Sequence, residues 1–283
     1  MIKMQVEAID KLACQVGRRP ITGITIPGRL ESIIDTLFPM HQPPIWPVTR
    51  PTGEVPLITS AELASIGARL PTNKAPGPDG VPDIILKRII AKKPELILDT
   101  LNRGLLQGHF PKPWKEATLV LLPKGKKPLE LSSSYRPICL INTIGKLLER
   151  VIKKRLEAHL EETRGISDRQ FGFVKGPSTD TTRRAVTSGV PQGSVLGPIL
   201  WIVMYDDLLR IAMPGNIRGM LSSSLIAFAD DVAVVATGNT TALLEESMNP
   251  SLATVSRWMA KTGLTLSVSK TEAIMLTTKR GYT

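Results

Sequence analysis

Asp230 and Asp231 stand side by side in the stretch Leu225 to Val235, which reads Leu-Ile-Ala-Phe-Ala-Asp-Asp-Val-Ala-Val-Val. Two short apolar, β-prone runs flank the acid pair, a pattern that predicts two buried strands joined by a tight acidic turn. Two carboxylates about 4 Å apart repel by roughly 4 kcal/mol at an effective dielectric near 20, so the arrangement needs solvent, a protonation shift or a cation. Mg2+ is the chemical option, because it takes hard oxygen ligands, typically one or two carboxylates plus substrate phosphates. An isolated pair of this kind is more often a solvated hairpin tip, so the metal reading depends on what else the chain carries.

Three other groups of residues could do chemistry. Gly189-Val190-Pro191-Gln192-Gly193-Ser194 is a Gly-bounded loop with one amide, feeding a helix near Leu196. Such a loop brings backbone close to a ligand and aims Gln192 at it, or it is a structural turn. Pro123-Lys124-Gly125-Lys126-Lys127 ends a strand over Ala117 to Leu122, as a phosphate clamp or a solvated charged tip. Ser134-Tyr135-Arg136-Pro137-Ile138 leads into an amphipathic helix over Thr143 to Leu160, with Ile144, Leu147, Leu148, Val151, Ile152 and Leu156 on one face. The other face carries Lys146, Arg150, Lys153, Lys154 and Arg155, and Glu149 is placed to pair with Lys153 at i,i+4. That face either meets a nucleic-acid backbone or is solvated.

The elements that must position these residues follow from spacing and punctuation. A short helix around Arg29 to Leu37 precedes a connector through Pro43, Pro44, Pro47 and Pro51. Thr59 with Glu62 makes a capping box opening a helix to about Leu70, before Pro71. Asn73 to Pro82 is too rich in Pro and Gly to be anything but a shaped loop. Ile84 to Ile90 and Pro94 to Leu106 show helical spacing, the second with Pro94 at the first helical position and Gly108 as a stop. After the acidic hairpin comes a helical region, Leu243 to Lys261, that Pro250 should break or kink. Leu264 to Leu266, Ser269-Lys270-Thr271-Glu272 and a closing strand over Ala273 to Leu276 complete the chain. No internal repeat is present.

Composition narrows the partners. The 283 residues are 42% hydrophobic, enough for one or two domains with a core. A net charge of +11 and a pI near 9.8 suggest a polyanionic partner, nucleic acid first and an acidic membrane surface second. Aromatic content of 4% does not indicate broad base stacking. Cys14 and Cys139 exclude a disulfide framework and a four-cysteine zinc site, and fit a reducing compartment. The longest apolar stretch, Val195 to Tyr205, is too short to span a bilayer, and Lys3, Glu7, Asp10 and Lys11 interrupt any apolar signal core. The expectation is an intracellular protein, nuclear or cytoplasmic, with no membrane partner.

Taken in order, Ala75 to Gly80, the strand into Pro123-Lys124, Tyr135-Arg136-Pro137-Ile138, Gly189 to Ser194, Phe228 to Asp231 and Lys270-Thr271-Glu272 resemble the reverse transcriptases of non-LTR (LINE-type) retrotransposons. The resemblance covers roughly Ala61 to Thr277, and several motifs in order are far more specific than one. Group II intron maturases are the runner-up. The resemblance implies an α/β fold of fingers and palm, the palm incomplete: an extension and linker over 1–58, fingers and the start of the palm over 59–182, and the remaining palm over 183–283. It further implies that Lys124 and Arg136 hold the incoming triphosphate and that Gln192, with Gly193, packs near the nascent base pair. Asp230 and Asp231 would bind metal, Lys270 would act near the leaving pyrophosphate, and Lys153, Lys154 and Arg155 would meet nucleic acid. The partners are then an RNA template, a DNA primer and a dNTP, the cofactor is Mg2+, and the reaction is RNA-directed DNA synthesis by nucleotidyl transfer.

One part of that pattern is missing. The family's first palm strand, apolar-x-Asp followed by a small and an aromatic residue, has no counterpart between Phe173 and Gly189. A strand with its crossover needs roughly 30 or more residues, and about a dozen separate Ser178 from Gly189. The pattern frays at Pro177 to Arg184, and an internal deletion near Thr182 is the expectation. Asp99 lies in a helical pattern, and Asp206 and Asp207 lie on the helix after the Gln192 loop, so none of them replaces the lost carboxylate. Endonuclease, thumb and cysteine-rich tail are not expected within these residues. The chain is expected to be catalytically impaired and to self-associate through the bared sheet, or to persist as a non-catalytic nucleic-acid-binding remnant.

Overall fold

A computed structural model describes residues 32–34, 36, 53–124, 128, 131–163, 165–170, 193–214 and 222–277. They fall into two compact units, Met1–Ile166 with Lys175–Val203, and Ser167–Val174 with Met204–Thr283. Helix and strand are mixed, and the strands form two small sheets of two strands each.

In the first unit, α1 (Ser60–Ala68) begins where Thr59 accepts the Glu62 N–H at 3.1 Å. Only that half of the expected capping box is seen, because the Glu62 carboxylate turns to Arg155. Then come α2 (Asp83–Lys92) and α3 (Glu95–Leu106). Pro94 sits one position earlier than expected, at the cap of α3, where its carbonyl accepts from Ile97 and Leu98. The strands β1 (Ala117–Pro123) and β2 (Tyr135–Ile141) pair antiparallel from Ala117 opposite Ile141 to Pro123 opposite Tyr135. Next, α4 (Thr143–Glu162) lays Leu147, Leu148 and Val151 against Leu63, Leu101 and Trp114 in the core. Each such aliphatic side chain contributes about 1.5–3 kcal/mol by leaving water.

The Pro-Gly loop Asn73 to Pro82 is shaped by its seat on the start of α4. A Cβ on Gly77 would stand 2.5 Å from the Asn142 amide nitrogen, so only glycine fits there. The Asn142 side chain accepts the Asp79 N–H at 3.2 Å and donates to the Pro113 carbonyl, while the Thr143 hydroxyl donates to buried Asp83 at 2.7 Å.

The polar face of α4 is less exposed than its charges suggest. Lys146 is buried, and of the five expected cations only Lys154 is exposed. Glu149, expected beside Lys153, gives its carboxylate to Ser194 and Val195, while Lys153 stands 3.8 Å from Glu157. Burial pushes the Arg150 guanidinium down from its ordinary value, opposed by the charges of Asp83 and Glu149.

The helix α5 (Gly197–Leu209) belongs to the first unit through Val203 and to the second from Met204. In the second unit, β3 (Ser222–Phe228) and β4 (Asp231–Thr237) form an antiparallel hairpin. Its burial alternates, so the two strands are not sunk in the core on both faces as their apolar runs suggest. One face, with Ser223, Leu225 and Ala227, packs on α6 (Thr241–Thr262); the other leaves Ile226, Phe228 and Val235 exposed.

Pro250 lies inside α6 without ending it. One backbone bond is forfeited there, and burial of Ser247, Ser251, Val255 and Met259 on the flanking turns holds the helix on the hairpin. The expected closing strand over Ala273 to Leu276 does not form: residues 271–277 carry no strand pairing, and Ile274 and Leu276 are 79% and 91% exposed. Apolar alternation needs a neighbouring edge to become a strand, and none is paired with it among the described residues.

Candidate functional site

The acidic turn comes first. The register pairs Phe228 with Asp231, so Ala229 and Asp230 form a two-residue hairpin loop. Loops of this length need a positive φ, and Ala229 supplies it at +58° without being glycine. Two side chains brace the strained turn. Gln170, buried beside β3, accepts the Ala229 N–H at 3.2 Å, and Tyr205 on α5 donates its hydroxyl to the Asp230 carbonyl at 3.3 Å. Tyr205 is itself fixed by an edge-on contact with Trp258, ring centres 5.4 Å apart. Burial pushes the Tyr205 phenol above its ordinary value, and the charges of Asp230 and Asp231 push the same way.

The two carboxylates are thus held by their backbone and left exposed on their side chains. Asp231 shares the exposed face of the ribbon with Phe228. Hard, solvent-facing oxygens at the end of a braced hairpin suit Mg2+ with retained waters. Among the described residues no group of three or more His, Cys, Asp or Glu side chains comes together as a metal cage. Asp206 accepts the Ser167 N–H at 2.8 Å and lies 2.6 Å from Arg210, and Asp99 lies on α3, 3.0 Å from Arg103. Lys270 ends a single 3-10 turn, Val268–Lys270, in the same unit as the acid pair, and is exposed.

In the first unit, Arg136 on β2 is exposed and lies opposite Leu122. Lys124 follows β1 and extends the ladder, its N–H donating to the Ser134 carbonyl at 2.7 Å. Alternation therefore carries Lys124 and Arg136 onto the same face of the ribbon. The Lys124 ammonium also donates to the Ser133 carbonyl at 3.1 Å, which ties it to the opposite limb. Gln192 lies outside the described residues. Gly193 adopts φ +122°, and Ser194 behind it caps α5 by accepting the N–H groups of Leu196 and Gly197 at 3.1 and 3.2 Å.

The three basic residues of α4 differ in what they face. Arg155 makes a bidentate pair with Glu62 at 3.0 and 2.7 Å and also donates to the carbonyls of Pro56 and Leu57. Lys153 is near Glu157, and Lys154 is exposed. Sequence reading missed the braces Gln170 and Tyr205 and the buried Glu149–Ser194 pair. Ser194 had a signal, a hydroxyl three residues ahead of Gly197-Pro198 at a helix start. The other contacts join residues 25 to 59 apart in sequence and leave no local mark.

Residues 178–282 match the family model described as reverse transcriptase (RNA-dependent DNA polymerase). This match, with the relatives that follow, supports a LINE-type reverse transcriptase. It is similar to a putative 115 kDa protein in the type-1 retrotransposable element R1DM of Drosophila melanogaster, 27% identical over 287 residues, covering 78% of this chain and 27% of that protein. A Pol polyprotein from the type-1 retrotransposable element R1 of Bradysia coprophila is 26% identical over 285 residues, covering 76% and 28%. Over a shorter stretch of 117 residues, 41% of this chain and 13% of the relative, the RNA-directed DNA polymerase from mobile element jockey of Drosophila melanogaster is 35% identical. The chain spans under a third of the length of these relatives. No described helix is long and apolar enough to cross a membrane.

Proposed function

We propose that this chain is the fingers and part of the palm of a LINE-type RNA-directed DNA polymerase that binds primer and template but lacks the first palm carboxylate and does not carry the reaction through. The observation that carries the reading is the alignment with its relatives. Coverage of 78% of 283 residues is about 221, so 287 aligned positions leave about 66 with no counterpart in this chain. The second relative gives 76%, about 215 residues, against 285 positions, leaving about 70. That is ample for a strand and its crossover helix, and the sequence pattern frays at Pro177 to Arg184, where the family's strand would begin.

In the intact reaction a primer 3′-hydroxyl attacks the α-phosphate of a dNTP in line, and pyrophosphate leaves. Lys124 and Arg136, cations on one face of the β1–β2 ribbon, would hold the triphosphate. Gln192, next to Gly193, would pack beside the new base pair, and Lys270 would serve the departing pyrophosphate. Asp230 and Asp231 would hold Mg2+, which when bound activates the hydroxyl and stabilises the leaving oxygens. The two-metal arrangement calls for a further carboxylate from the missing strand. Of the α4 cations, Lys154 is the one best placed to meet a phosphate, with Lys153 beside it.

The test is binding and extension on one RNA template with a DNA primer. Binding that weakens linearly in log–log with salt, with no extension, is expected. Extension that Asp230→Asn abolishes would overturn the inactivity, and the absence of salt-dependent binding would overturn the polymerase reading.

A further inference from the structure

The β3–β4 ribbon of the second unit has two edges, and they are not alike. The two-residue loop makes Phe228 and Asp231 the first hydrogen-bonded pair, and every second pair after it, from Ile226–Ala233 to Ser222–Thr237, bonds likewise. The backbone groups of the residues between them point outward. On the β3 side the outward N–H of Ala227 donates to the Arg169 carbonyl at 2.9 Å, and Gln170 forms a parallel bridge with Ala227. On the β4 side the outward groups are those of Val232, Val234 and Ala236, and among the described residues no backbone group pairs with them. Natural sheets guard such an edge with lysine, proline, a bulge or a covering segment. Residues 232–237, Val-Ala-Val-Val-Ala-Thr, carry no charge and no proline, and their register runs without a bulge.

The unguarded edge is complementary to itself. Laid antiparallel on a second copy with Val234 opposite Val234, it sets Val232 opposite Ala236, and every outward N–H and carbonyl of both strands finds a partner. Asp231 then lies opposite Thr237, so no like charges face each other. On the outer face Ala233 meets Val235 of the second copy. Ile226 pairs with Ala233 within each ribbon, so the exposed Ile226 and Val235 of the two copies line up in apolar rows across the joined sheet. α6 packs on both strands of its ribbon, so its copy stands about two strand spacings away, roughly 10 Å, a packing distance for helices rather than a clash.

We propose that the β4 edge is a self-association surface: two copies of this chain join antiparallel along residues 232–236 into one four-stranded sheet, on a two-fold axis at Val234. The pairing does not depend on the polymerase reading. Val234→Pro removes an N–H that the ribbon itself does not use and that the joined sheet needs, at an edge position where proline is tolerated. Val235→Lys sets an ammonium on the apolar row from an exposed position, and serves where Val234→Pro does not fold.

The experiment is sedimentation equilibrium of the full chain, freed of nucleic acid, read beside backbone amide exchange. The chain is expected to be a dimer at about 10 µM, with each variant dissociating at least about 10-fold more readily. Raising the protein concentration should slow exchange about 10-fold at Val232, Val234 and Ala236, whose amides face outward, and change it less at Ala233 and Val235, which are already bonded within the ribbon. A chain that stays monomeric to about 100 µM overturns the pairing. So does a dimer that both variants leave intact, or one with no slowing at those three amides. A monomer in which the three amides are nonetheless protected marks the edge as filled by another segment, of this chain or of a different protein, and likewise overturns the second copy.

Discussion

Arg155→Ala separates a structural cation from a nucleic-acid-binding one. In the sequence Arg155 follows Lys153 and Lys154 in a basic run; in the structure its guanidinium binds Glu62 at 3.0 and 2.7 Å and caps the Pro56 and Leu57 carbonyls. The pair bridges α4 to the start of α1, 93 residues earlier. Its side chains are 28% and 16% exposed, between the surface and the buried cases. Exposed pairs contribute about 0–1 kcal/mol, and removing one partner of a buried pair costs about 3–5. A loss of about 2–3 kcal/mol is therefore expected, since Glu62 and two carbonyls lose their donor together. Urea unfolding checks it, and a cycle with Glu62→Gln should return a coupling of about 1–2 kcal/mol. The salt slope of primer–template binding should not move. If Arg155 instead faces a phosphate, stability changes by less than about 0.5 kcal/mol and the slope falls by about 1, and the structural assignment fails.

Lys154→Ala should do the reverse, lowering the salt slope by about 1 with little effect on melting, as titrations at several salt concentrations would read. Ala229→Gly should stabilise the hairpin by about 0.5–1 kcal/mol, since relief of a positive φ outweighs glycine's added unfolded-state freedom; a lowered urea midpoint would refute the strained turn. Gly77→Ala should destabilise by about 1–3 kcal/mol, because backbone of Asn142 occupies the Cβ position and cannot swing aside; unchanged unfolding would contradict that seat. Tyr205 has a raised pKa, so between the unfolded and folded values the native state binds more protons and stability falls as pH rises past 10. Unfolding free energies from pH 9 to 11 should fall more steeply in the wild type than in Tyr205→Phe, and equal slopes would argue against it.

Where periodicity and punctuation act locally, the sequence was legible. The helices α1 to α4, the ribbon ending at Lys124 and the hairpin around Asp230 stand within a residue or two of their expected bounds. Pro250 does not break the helix as it could have, because burial of Ser247, Ser251 and Val255 on the flanking turns outweighs one lost backbone bond. Ala273 to Leu276 misled because a strand needs a partner, which its own residues do not specify. On α4 charge alone does not give direction: Arg155 turns to Glu62 and Lys146 is buried. Of the site, the acid pair and the shared face of Lys124 and Arg136 follow from short spacings. Gln170, Tyr205 and Glu149 act over long sequence separations, so only the folded chain reveals them.

In the function proposed here, the chemistry is lost with one segment while the rest of the polymerase frame persists. Primer extension on an RNA template, comparing this chain with a version carrying its relatives' missing segment between Ser178 and Gly189, tests it most directly. Extension is expected only from the restored chain, and Asp230→Asn should abolish it there. Extension by this chain at a comparable rate would contradict it.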